Sequence, residues 1–143
     1  MEATVITEVD KLCQRSMGTN LSPHELTEIH TYLAGYRHTM GTYMVDAEED
    51  HAKKKEKYLT HCIKSRLLMQ LQDNKLSTAK ATDRIEGEVS TELMRIGIIE
   101  AEAKYKRMKQ RLATSNDVLI SISIRLGIAK QEMINLHKEY NNG

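Results

Sequence analysis

The side chains best equipped for chemistry in this sequence are cationic, and they come in two runs. Lys53, Lys54, Lys55 and Lys57 lead into Lys64 and Arg66, and Lys104, Lys106, Arg107, Lys109 and Arg111 form the second run. Clustered cations neutralise phosphates and release their counterions, so such a surface binds nucleic acid in a salt-dependent way. Tyr58 and Tyr105 lie within the same runs. A tyrosine beside Lys and Arg can stack the exposed bases of a single strand. The competing reading makes the tyrosines seam residues between helices and leaves the basic residues as solvated surface.

Other chemistries fail on spacing. A helical zinc-protease motif needs two His four residues apart, but His24 and His30 are six apart. His61 and Cys62 are adjacent and point to different helix faces, while His38 and His51 are isolated, so no metal site is expected. No nucleophile elbow, Gly-rich phosphate loop or Cys-His signature is present. Glu86, Glu88, Glu92, Glu100 and Glu102 form an acidic run whose members face different ways at helical spacing. The expectation is a protein that is not an enzyme and carries no cofactor. Cys13 and Cys62 are far apart and make no disulfide framework, which favours a reducing compartment.

The basic runs must be carried by helices. The chain has one Pro, seven Gly, and neither Phe nor Trp. Few breakers and few large aromatic anchors fit long helices rather than a β-sandwich or a Pro-rich disordered chain. Val5, Ile6, Val9, Leu12 and Cys13 make one apolar stripe, predicting a short helix over 3–17 that Gly18-Thr19-Asn20 ends. Ser22-Pro23-His24-Glu25 then reads as an N-cap, a first-position Pro and a capping-box Glu. A first long helix is expected over 22–72, with Ile29, Leu33, Tyr36, Met40, Tyr43 and Ala47 as its seam.

Asp73-Asn74 favours a turn, and Ser77 can cap a second long helix over 77–140 that bends near Gly87. From Met94 a heptad runs through Ile98, Ala101, Tyr105, Met108, Leu112, Ser115, Leu119, Ile122, Leu126, Ala129, Met133 and Leu136 to Tyr140. Leu119 to Ile124 also alternates like a strand, but the unbroken heptad on both sides favours helix. Ile120, Ile124 and Ile128 add a second stripe, which calls for more than one neighbour. The expected fold is one all-α domain over 1–143: a long antiparallel, coiled-coil-like helical hairpin with a short N-terminal helix, assembling as a homo-oligomer. Leu119, Ile122, Leu126, Met133 and Leu136 are the expected oligomerisation residues. With the hairpin turning near residue 80, positions 53–57 and 104–111 would stand at similar heights.

The sequence Lys53-Lys54-Lys55-Glu56-Lys57, leading into Ile63-Lys64-Ser65-Arg66-Leu67, resembles the basic helix of UvsY-type phage recombination mediators. The similar layout covers about Tyr43 to Leu136, and includes Glu100-Ala101-Glu102-Ala103-Lys104-Tyr105-Lys106 on the second long helix. The resemblance implies a helical protein that binds single-stranded DNA and self-associates. It further implies partnership with a RecA-like recombinase, loaded onto DNA covered by a single-strand-binding protein. A Lys-x-Arg pair contacts the strand in that family, and Lys64 and Arg66 match it, with Lys53, Lys54, Lys55 and Lys57 adding to the field.

Location follows from what the sequence offers a membrane. Met1-Glu2-Ala3-Thr4 opens no signal peptide, and the most apolar window, Val118 to Ala129, is short and contains Ser121, Ser123 and Arg125. No membrane partner is expected, and the cytoplasm (the host's, for a phage protein) is the expected location. The rival reading is a coiled-coil structural or protein-binding protein, such as a virion scaffold or an inhibitor of host defence, that binds no nucleic acid.

Overall fold

The computed structural model describes the whole chain, Met1–Gly143, as four helices and no strand: α1 (Glu2–Ser16), α2 (Pro23–Gln72), α3 (Thr78–Glu86) and α4 (Val89–Asn142). The fold is all-α. α2 starts on a reciprocal capping box. The Glu25 backbone N–H donates to Ser22 Oγ at 3.2 Å, and the Ser22 N–H donates to the Glu25 carboxylate at 2.9 Å. The Asp73 carboxylate accepts from the Lys75 N–H at 3.0 Å and shapes the turn after α2. Ser77 Oγ accepts from the Lys80 N–H at 3.2 Å and starts α3.

The second long helix expected over 77–140 is two helices, broken at Gly87-Glu88. Gly87 is right-handed, with φ −78° and ψ −9°, so the break does not depend on a conformation reserved for glycine. α3 is a separate helix because it buries Ala81 and Ile85. The strand-like stretch Leu119 to Ile124 is helical within α4. Helix periodicity wins there because Leu119 and Ile122 land on the buried face.

The chain forms two units. The first comprises Met1–Tyr43 and Met108–Gly143. Its core is Leu26, Ile29 and Ile122, with Leu12, Leu21, Val118 and Leu126 packed against them. α1 lies along α4: Asp10 pairs with Arg111 at 3.5 Å, and Cys13 Sγ meets Ser115 Oγ at 4.0 Å. Ser115, the lone polar residue of the heptad seam, is fully buried and donates to its own helix at the Arg111 carbonyl, 2.9 Å away. A hydroxyl satisfied in this way sits in a core at little cost.

The second unit is Met44–Arg107, with Ala47, Leu76, Ala81, Ile85, Thr91 and Ala101 buried. Arg95 Nε donates to the Tyr58 hydroxyl at 3.2 Å, and His61 Nε2 lies 3.2 Å from Thr91 Oγ1. Arg95 also pairs with Glu86 at 3.5 Å and Glu92 at 3.6 Å, joining α3 to α4.

α4 contains an 18-residue stretch of mean hydropathy 1.2, long and apolar enough by length and composition to cross a membrane, and 11% of that stretch is buried.

Candidate nucleic-acid interface

Lys53, Lys54, Lys55, Lys57, Lys64 and Arg66 of α2 lie in the second unit, and the helix distributes them over three faces. Lys53, Lys57, Thr60 and Lys64 step by four, three and four residues, so they form one stripe. With Glu56 and His61 they line a shallow, open groove. Lys53, Lys57 and Lys64 are exposed, and no carboxylate in the chain holds them. A solvated ammonium with no internal partner keeps its full field for an incoming anion.

The other three cations are differently occupied. Lys54 Nζ pairs with Asp50 at 3.1 Å. Lys55 stands near Glu102 of α4, whose carboxyl is held below the usual carboxylate range, first by its hydrogen bond to Lys106 at 2.9 Å and then by His51 and Lys55. Arg66 is half-buried and lines a different groove with Thr82, Ile85 and Glu86 of α3. Two residues along a helix are about 200° apart, so Lys64 and Arg66 face nearly opposite ways. The Lys-x-Arg pair therefore does not meet one phosphate from one side.

Glu102 of α4 lies near His51 and Lys55 of α2. Lys106 is paired with Glu102, and Arg111 with Asp10. Lys104, Lys106 and Arg107 belong to the second unit, and Lys109 and Arg111 to the first.

Both tyrosines are half-buried. The Tyr58 hydroxyl holds Arg95, a contact that raises the Arg95 pKa further, with Glu86 and Glu92 adding to it. Tyr105 is half-buried on the seam of α4. Thr60 and His61 were missed at the sequence level. Their spacing from Lys57 and Lys64 carried the signal, since four- and three-residue steps put all of them along one side of α2.

The expected oligomerisation residues divide as well. Leu119 and Ile122 are buried by the chain's own helices, and Leu126 packs against that core. Met133 and Leu136 are 67% and 65% exposed, on the last turns of α4, where every residue from Lys130 onward is exposed. No cluster of His, Cys, Asp and Glu in the chain is arranged to hold a metal ion. Compared with family models, curated proteins and solved structures, the chain matches none.

Proposed function

We propose that this chain is a non-enzymatic, self-associating helical protein that binds single-stranded DNA through the α2 stripe Lys53, Lys57 and Lys64. The observation that carries this is the unpaired state of those three lysines on one exposed face. The resemblance to UvsY-type mediators extends the proposal to a phage recombination and replication accessory. It would help load a RecA-like recombinase onto strands covered by a single-strand-binding protein in the host cytoplasm. α2 and α4 would run as an antiparallel hairpin. Tyr58 with Arg95 and His61 with Thr91 support this, because their numbers move in opposite directions along the two helices. Subunits would associate through the exposed end of the α4 seam, Met133 and Leu136, and association would multiply weak phosphate contacts through avidity.

A second reading, a coiled-coil scaffold or inhibitor that binds only protein, is favoured by the aliphatic side chains Leu67, Leu68 and Leu71 exposed near the end of α2. Fluorescence anisotropy with a labelled single strand across a salt series separates the two. Three phosphate contacts per chain give a log–log salt slope of roughly −2. Lys57→Ala/Lys64→Ala should cut that slope by more than half, whereas Arg66→Ala should leave it unchanged. An absence of binding at low salt would remove the DNA reading and leave the protein-binding one.

A further inference from the structure

His61 stands at the border between the cationic stripe of α2 and the packing of α2 on α4, within the second unit. By helical phase it is about 40° round from Lys57 and about 60° from Lys64, so it flanks the stripe. With those two lysines it lines the shallow groove. Along the helix axis Lys57 and Lys64 are about 10 Å apart, and His61 falls between them. The residue is half-buried. Its Nε2 is 3.2 Å from Oγ1 of Thr91, and Thr91 is fully buried. A buried hydroxyl that engages one ring nitrogen fixes the imidazole and leaves Nδ1 without a partner in the chain.

The charged groups around the ring are unevenly committed. On α2 they are Lys57 and Lys64, with Glu56 on the far edge of the groove, about 140° round the helix from His61. On α4, Arg95 follows Thr91 by about one turn, and it is held by the Tyr58 hydroxyl and by Glu92, with Glu86 joining from α3. Glu88, just before α4, makes no ion pair. The carboxylates of Glu86 and Glu92 are thus occupied by Arg95, and none in the chain pairs with His61. A protonated imidazole at this place has cations beside it and no counter-charge of its own. An anion in the groove supplies that counter-charge, and an opposite charge close by favours the protonated form.

We infer that His61 is a proton-linked phosphate ligand: when a strand enters the groove, His61 takes up a proton, and its Nδ1–H donates to a phosphate oxygen between Lys57 and Lys64. The inference deepens the proposed single-strand binding and rests on it. A lysine stays charged throughout the physiological range, whereas a histidine changes charge within it. The lysine stripe therefore supplies a constant attraction and His61 an adjustable one. The step balances simply. One proton comes from solvent, the imidazole becomes imidazolium, and the phosphate that it meets releases a counterion. Acidification tightens binding, and alkalinisation loosens it.

The test is fluorescence anisotropy on the full chain with a labelled oligothymidylate at constant ionic strength, at about pH 6 and about pH 8, either side of the usual imidazole range. Wild type should bind about tenfold tighter at the lower pH, the effect of one added charge-assisted contact. Its salt slope should also be steeper there by roughly 0.7. His61→Gln should lose both differences, because a glutamine amide takes up no proton. His51→Gln should retain both, since His51 stands by Glu102 instead. Calorimetry in two buffers of different ionisation heat should register proton uptake when wild type binds. That measurement needs no substitution, so it decides the matter even where His61→Gln lowers stability. Equal affinity at both pH values with no proton uptake would overturn the inference and leave strand binding standing. A pH response that survives in His61→Gln, or is lost in His51→Gln, would overturn it as well. No binding at either pH would overturn both the inference and the reading on which it rests.

Discussion

Arg125 interrupts the most apolar stretch of the chain, and its place there is explained by what it touches. Its two terminal nitrogens donate to the Ser16 and Gly18 carbonyls, at the C-terminal end of α1 where no intrahelical donor remains. A cation at that end also complements the helix dipole. Hydrogen bonds from a charged group contribute about 1.5–3 kcal/mol. Arg125→Ala should therefore lower stability by about 2 kcal/mol in urea denaturation, and Arg125→Lys should recover only part, because a single ammonium cannot reproduce the fork. Cys13 is a second residue whose surroundings decide its behaviour. Burial pushes its thiol pKa above the usual cysteine value, with Asp10 adding and the Ser115 contact opposing. The folded state then holds the proton longer than the unfolded state does. Its contribution to stability is intact at neutral pH and falls as pH rises past the usual thiol range. With a thiol reagent near neutral pH, Cys62 should react first and Cys13 only as the protein unfolds, and Cys13→Ser should remove the slow phase.

At the scale of elements, the sequence was legible wherever a single helix carried its own signal. The Ser22 and Glu25 capping box, the seam through Ile29, Leu33 and Met40, and the cap at Ser77 are all local, and each matches an observed start or a buried face. What it could not convey was which face meets a neighbour. α3 was hidden because Ser77 and Gly87 read as one cap and one bend in a long helix, whereas the short helix between them is stabilised by burying Ala81 and Ile85. The candidate site suffered the same way. Counting cations grouped Lys64 with Arg66, but helical phase separates them, and the carboxylates that occupy Lys54 and neighbour Lys55 come from one turn earlier and from another helix. The heptad at Leu119 and Ile122 is equally suited to an internal or an external partner, and here the partner is internal.

At the scale of the whole molecule, many large aliphatic side chains are exposed, among them Leu67, Leu68 and Leu71 on α2 and Met133 and Leu136 on α4. The last turns of α4 show what that implies. From Lys130 onward every residue of the helix is exposed, and Gln131 with Asn135 and Asn141 with His137 form local pairs. A lone segment of that length is marginal in water. Its amide hydrogens should exchange with solvent quickly at low protein concentration and slowly at high concentration, while amides around Ile122 stay protected at both. On the proposed reading, the tail of α4 would act as a built-in gauge of crowding: frayed on a solitary subunit, and set into helix only once neighbouring subunits arrive.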